Sequence, residues 1–284
     1  EEEQRQDSKI SDSATLRPCD SSYTPNHFTH LHVHSHFSIL DGMSKVPDLI
    51  DKCTRSGMYS MALTDHGNMF GIKEFADAAN KYNGKIKDKI KEQEKILNNE
   101  ESTDSQKDDA SVEIDILKKK MFKPIFGMEA YCAPVSIDKR DGRADRGYHL
   151  IILAKNKQGY KNLCKLSSIA YIDGYYYNPR IDHSLLEKYH EGLIICSACL
   201  GGELPQKIMN GDIEGAEQSL HWFKNIFGDD FYIEIQRHKT DKFNADKTTF
   251  ERQQEVNKIL IELARKTDTK IVATNDVHFV EEEH

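Results

Sequence analysis

The stretch "HLHVHSHFSILDG", residues 30–42, sets the reading of this chain. His30, His32, His34 and His36 alternate with Leu31, Val33 and Ser35, and Asp41 follows. Alternate side chains on a β-strand share a face, so the spacing predicts one face carrying all four imidazoles. An apolar core gains little from such a row. An H-x-H pair on a strand offers two nitrogen ligands to a metal ion. A polar strand face with unconnected imidazoles is the plainer alternative. Near the other end, "DVH" at 276–278 repeats the period-two spacing with Asp276 and His278 and makes a second two-pronged ligand set.

Between these pairs, strand and helix patterns alternate. Short apolar strands are predicted at 28–34, 59–65, 123–131, 148–154, 192–198, 231–238 and 270–279. Amphipathic helices fall between most of them, as in "VPDLIDKCTRSG", "KNLCKLSSIAY" and "QQEVNKILIELARKT". This order argues for a parallel α/β architecture. No G-x-G-x-x-G opens a helix, so a dinucleotide-binding fold is unsupported. A TIM-like barrel with one unit fewer than eight fits better. His32 and His34 then end the first strand, Asp65 and His66 the second, and Glu129 the third. Cys199 follows the fifth strand, and Asp276 and His278 end the seventh. Barrel enzymes gather their reactive groups at the carboxyl ends of the strands. His149 sits near the start of its strand and fits that rule less well.

Composition narrows the function. The chain has 284 residues, 38% hydrophobic and 30% charged, with a net charge of −8. That sign is wrong for a free-standing nucleic-acid binder, so metals or a neighbouring domain must supply positive charge if nucleic acid is the substrate. No apolar run reaches the roughly 18 residues of a membrane span. The acidic start lacks the features of a signal peptide. The six cysteines show no framework spacing and read as reduced, cytoplasmic thiols. "CSAC", with Cys196 and Cys199, follows a strand without opening an obvious helix, which argues against a redox pair. Residues 1–26 read as a disordered tail. Residues 84–121 read as a charged insertion, solvated and only partly helical; half of them are charged and none is aromatic.

Taken in order, "HLHVHSHFSILDG", "ALTDHGNMFG", "KPIFGMEAY", "GYYYNPRID" and "VATNDVHF" resemble the PHP domain (polymerase and histidinol phosphatase) family, in the branch carried by bacterial DNA polymerase III alpha subunits. The resemblance spans 27–284, interrupted by the insertion at 84–121. It implies a PHP fold, a distorted seven-unit (βα) TIM-like barrel. It also implies a trinuclear cluster of divalent metal (Zn, Mn or Fe) on nine ligands: His32, His34, Asp41, His66, Glu129, His149, Cys199, Asp276 and His278. Imidazole and thiolate suit these metals better than Mg or Ca. Asp276, His34 and Asp41 are the ligands expected to carry the chemistry. His30 and His36 fall outside the set, and Asp65 is expected to orient an imidazole.

The implied function is a metal-dependent phosphoesterase, acting as a 3′–5′ proofreading exonuclease on DNA 3′ ends. Its partners would be the remainder of the polymerase alpha subunit and the replisome, in the bacterial cytoplasm. The chain carries no polymerase palm and reads as the isolated N-terminal domain of a DNA-directed DNA polymerase. Arg180, Arg237 and His238 are candidate phosphate contacts, though ordinary surface roles suit them equally. Two alternatives stay open: a catalytically silent domain that stabilises the polymerase, and a small-molecule phosphatase of the histidinol-phosphate kind.

Overall fold

The computed structural model describes residues 28–242 and 247–281. The tail at 1–26 lies outside the described residues. Helix α1 (Val46–Arg55) begins with Pro47 in its first turn, where the missing N–H costs nothing, and Asp48 beside it. Lys52 and Arg55 sit in the last turn, matching the helix dipole, and Val46, Leu49, Ile50 and Cys53 form its buried stripe. The chain then alternates through β1 (Ser60–Leu63), α2 (Ile72–Leu97), α3 (Asp104–Lys119), β2 (Lys123–Cys132), β3 (Tyr148–Ala154) and α4 (Lys157–Ile172). It continues through β4 (Arg180–Ile181), α5 (His183–Lys188), β5 (Leu193–Cys196), α6 (Glu203–Met209), α7 (Ile213–Phe227), β6 (Phe231–Gln236), α8 (Thr248–Thr267) and β7 (Lys270–Thr274).

The strands form one curled sheet in the order β1-β2-β3-β5-β6-β7, with the two-residue β4 paired to β2 beyond the end of β1. The predicted first strand, 28–34, is not a regular strand. It makes single parallel bridges, His30 to Met61 and Val33 to Val277, so it closes the gap between β1 and the segment after β7. Backbone bonds on both sides hold it: Ala62 N–H to His30 O at 2.7 Å, and His34 N–H to Val277 O at 2.7 Å. The result is a distorted TIM-like barrel of α/β type.

Two expectations about the barrel are corrected. First, the sheet is not all parallel, because β3 runs antiparallel to both β2 and β5. The start of β3 therefore lies at the same rim as the ends of the parallel strands, with His149 opposite Tyr131 near the end of β2. This reversal removes the misfit of His149. Second, the four histidines do not share a face. The backbone bends at His32. Leu31 packs into the barrel interior with Ala62, Leu153 and Cys196. His30 instead lines an outer pocket with Val33 and Leu49, and His36 reaches Ser44 O at 3.3 Å and lies 3.9 Å from Glu74.

The main core lies between the sheet and the helices that cover it, with Leu150, Ile152, Leu163, Leu166, Leu220, Phe223 and Leu260 buried together. A second cluster, including Leu49, Ile50, Met61, Leu63 and Phe75, packs beneath α1 and α2. The charged segment 84–121, expected to be solvated and only partly helical, is helical over most of its length: α2 runs through Leu97 and α3 returns. Part of its apolar content forms one seam, where Ile86, Ile90, Ile114 and Leu117 are buried against each other and against Tyr82, while Val112 and Ile116 face solvent. A capping box starts α3, Thr103 accepting from Gln106 N–H and the Gln106 side chain accepting from Thr103 N–H at 2.8 Å. Low average hydropathy concealed a stripe of helical period. No helix among the described residues is long and apolar enough to cross a membrane.

Candidate metal centre

All nine residues of the expected ligand set meet at one end of the barrel. The segment that closes the barrel supplies His32 and His34, both fully buried. The turn after it supplies Asp41, held by Gly42 N–H to Ser38 O at 2.8 Å. At Gly42 an added Cβ would lie 2.0 Å from Ser35 O, so the turn closes too tightly for a side chain there. The chain just after β1 brings His66, β2 brings Glu129, and the start of β3 brings His149. Cys199 follows β5. Asp276 and His278 lie just past β7, where Asp276 adopts φ +49°, a left-handed conformation uncommon outside glycine.

Three groups of donor atoms lie close enough to hold a cation, each with its ligand atoms within 4.8 Å of one another. They are His34, His66 and His278; His32, His34 and Glu129; and Glu129, His149 and Cys199. His34 and Glu129 each belong to two groups. Asp41 Oδ2 flanks the first, 3.2 Å from His66 Nε2 and 3.7 Å from His278 Nε2. Asp276 Oδ1 flanks the second, 3.0 Å from His32 Nε2 and 3.2 Å from His34 Nε2. In the third, Glu129 Oε1 lies 2.8 Å from His149 Nδ1, and the Cys199 thiol lies 3.5 Å from the same nitrogen. Glu129 Oε2 meets His66 Nδ1.

Hydrogen bonds behind the cluster decide which nitrogens face it. His32 Nδ1–H donates to Glu234 Oε1 at 2.8 Å, leaving Nε2 to the site. The Ser38 hydroxyl donates to Asp65 Oδ1 at 2.8 Å, so at 2.8 Å from His34 Nδ1 it accepts. His278 Nδ1–H donates to Asp276 O at 2.9 Å. When neutral, these three imidazoles thus present Nε2 lone pairs inward. Asp65 works one bond further out than expected, through Ser38, and also accepts from Ser35 N–H at 2.7 Å.

The donor set fits a cation. His32 Nε2 and His34 Nε2 stand 3.1 Å apart, a distance at which two lone pairs repel unless positive charge lies between them. Asp276 Oδ1 is buried beside both, at 3.0 and 3.2 Å from their Nε2 atoms. The titration of the groups points the same way. Burial favours neutral His32, but Glu234 and Asp276 outweigh it and hold its pKa well above the ordinary value. His149 is likewise raised, against burial, chiefly by Glu129. Burial pushes Glu129 up, but His149 and His32 hold it well below the usual carboxylate range. For Asp276, His32 and His34 overcome burial in the same way and depress the carboxyl. Burial pushes the Cys199 thiol up. The carboxylates of the site therefore favour positive charge among the imidazoles.

The three expected phosphate contacts fare differently. Arg180 is fully buried, and its guanidinium donates to the carbonyls of Gly174, Lys139, Asp145 and Ile137 at 2.7–3.1 Å. It staples two loops together and is not a phosphate contact. Arg237 is exposed just past the end of β6, with its guanidinium 5.7 Å from the centre of the Phe250 ring. His238 lies at 2.7 Å from Asn275 O, beside the chain that carries Asp276. Glu234, Ser38 and Thr274 escaped the sequence reading. Glu234 had a signal: a carboxylate two positions before Gln236 within the apolar strand "FYIEIQ", where an interior-facing charge needs a partner.

Residues 30–238 match the profile of the PHP domain family. The DNA polymerase III subunit alpha of Borreliella burgdorferi is 41% identical over 258 residues, 90% of this chain and 18% of its own length. The same subunit of Aquifex aeolicus is 36% identical over 263 residues, again 90% of this chain and 18% of the relative. Among solved structures, a candidate metal-dependent phosphoesterase from Bifidobacterium adolescentis aligns over 88% of this chain and 87% of its own, at 12% identity and a TM-score of 0.41. The chain thus spans less than a fifth of the length of these curated relatives.

Proposed function

The chain belongs to the PHP domain family, and from that premise we propose that it is a metal-dependent phosphoesterase that removes nucleotides from DNA 3′ ends, as part of a DNA polymerase III alpha subunit. One observation carries the reading: Asp276 Oδ1 converges with two buried imidazole Nε2 atoms, at 3.0 and 3.2 Å. A carboxylate oxygen and two imidazole nitrogens turned to one point are a ligand set for a divalent cation. Under this proposal His32, His34, Asp41, His66, Glu129, His149, Cys199, Asp276 and His278 hold up to three divalent cations of the Zn, Mn or Fe type. When bound, such ions activate water and neutralise phosphoryl oxygens.

The remaining work belongs to the chain. Glu234 and Ser38 fix the imidazole faces, so the ligands need not reorganise. Asp41 stands at the mouth with about half its side chain exposed, the ligand nearest to arriving substrate. Under this proposal Arg237, exposed just past the end of β6, contacts the phosphate backbone. The net charge of −8 works against DNA, so affinity should depend on the metals and on the polymerase region.

The test is a nuclease assay on 3′-mismatched primers, with metal analysis of the same sample. The metal-loaded chain, or the full alpha subunit, should release nucleoside monophosphates. Inactivity of both would establish the structural role instead. Faster hydrolysis of histidinol phosphate than of DNA would establish the small-molecule phosphatase.

A further inference from the structure

We propose that the rim beside His66 is a stacking surface for single-stranded nucleic acid, built from Phe70, Tyr171, Tyr175 and Tyr177 with Arg146. The inference rests on the phosphodiesterase reading and names how its substrate is held.

Single exposed apolar side chains are ordinary on protein surfaces. Here the rings form a string. Phe70, Tyr175 and Tyr177 each leave more than half of their surface open, and Tyr171 more than a third. Ring centres lie 5.7 Å apart for Phe70 and Tyr171, and 6.4 Å for Tyr171 and Tyr175. Next in the chain, the Tyr176 and Tyr177 rings meet edge to face at 4.8 Å. Arg146 places its guanidinium 5.0 Å from the centre of the Tyr177 ring, and Asn178 Nδ2 holds Arg146 O at 3.2 Å. Rings with an arginine among them are what sequence-tolerant binding of unpaired bases requires, because every base has a π-face.

The backbone adds an independent observation. Tyr177 adopts φ +60°, a region that a large side chain enters at a cost, and yet its ring faces solvent. The bridge between Tyr176 and Asn178, with Tyr176 N–H donating to Asn178 O at 3.0 Å, fixes the turn at Tyr177 and leaves its ring more than half exposed.

The loop that carries Tyr175 and Tyr177 lies beside the candidate metal centre. β4 pairs with β2 just beyond the bridge between His66 and Glu129. The loop that leads into β4 therefore lies against the chain that carries His66. Pro179 Cγ comes within 2.7 Å of where a Cβ on Gly67 would stand, a contact only glycine allows. A strand whose 3′ end enters the metal cluster would pass over Tyr177 and Tyr175. Arg146 stacks on the Tyr177 ring from the solvent side while Arg180 is buried against Tyr176, and the chain is net negative, so stacking must supply most of the affinity. Salt dependence should accordingly be shallow, with a slope of about −0.7 per phosphate neutralised and few phosphates counted.

The test measures binding of fluorescent oligodeoxythymidylate to the 284-residue chain in chelator, so that it does not depend on metals or hydrolysis. Tyr177→Ala and Phe70→Ala, on separate elements, should each weaken binding roughly five- to 150-fold. Tyr177→Phe should bind as the parent does, and duplex of the same length should bind less tightly. Failure of the parent to bind single strands would overturn the proposal, as would alanine variants with unchanged affinity. Equal losses in Tyr177→Phe and Tyr177→Ala would do so too. A chain that binds strands through these rings but never cleaves them would overturn the phosphodiesterase reading alone.

Discussion

Replacing Glu234 by glutamine removes one charge from behind the cluster and leaves all nine proposed ligands in place. Glu234 Oε1 sits 2.8 Å from His32 Nδ1 and 2.9 Å from Gln236 Nε2, and it also accepts from the Thr274 hydroxyl. Its Oε2 is buried without a hydrogen bond. In Glu234→Gln the carbonyl oxygen can keep the three donors, but it polarises His32 less. The new amide N–H₂ replaces Oε2 where no acceptor waits. An unsatisfied buried donor costs about 1–3 kcal/mol of stability. Loss of the carboxylate behind a ligating imidazole typically lowers metal affinity about 10- to 100-fold, or roughly 1.4–2.8 kcal/mol. The assay is competitive titration of Zn or Mn against a fluorescent chelator, with a thermal melt of the metal-free form as control. A variant that melts lower in chelator but binds metal as tightly as the parent would refute the claim that Glu234 tunes His32.

Asp276→Asn should cut phosphodiester turnover at least about 100-fold, the scale of losing metal-borne charge stabilisation; full retention of activity, measured as nucleotide release, would point to a contaminating nuclease. In chelator, the raised imidazoles of His32, His66 and His149 stabilise the fold below their unfolded value of about 6.5, and that contribution is lost as pH rises through the higher folded values. Glu129 and Asp276 act oppositely: their stabilisation is present above the ordinary carboxylate range and lost as pH falls through the depressed values. The metal-free melting temperature should therefore decline towards alkaline pH, whereas metal affinity should climb there because protons no longer compete; melts and titrations across pH read both. Ile114→Asp should open the α2–α3 seam, seen as faster hydrogen exchange in 84–119, while metal affinity stays unchanged. In the parent chain, limited proteolysis should cut first at the hairpin tip, 98–103.

The convergence of the nine residues was legible because they have few other reasons to cluster at strand ends. Two period-two pairs, an acidic residue in "GMEAY" and a cysteine after an apolar run each signal locally. The direction of β3 was not legible: "YHLIILA" is apolar on both faces and reads the same either way, so His149 looked misplaced until its strand was seen reversed. The bend at His32 was hidden for a similar reason, since strict alternation in sequence is no proof of alternation in space. Arg180 looked like a phosphate contact because nothing in "NPRID" reveals that four carbonyls surround its guanidinium. The helical hairpin was missed because composition averages away a seam of four apolar residues.

The bridge between Val33 and Val277 also sets an order of assembly. A chain leaving the ribosome exposes His32 and His34 long before Asp276 and His278 exist. Once β5 is made, Glu129, His149 and Cys199 can meet, because their strands are then paired. The grouping of His34, His66 and His278 must wait for the segment after β7, which also closes the barrel. Metal loading under the proposed function therefore follows translation in steps. A truncated chain would offer an incomplete set of ligands, so the final cation records that the whole domain has been synthesised and closed.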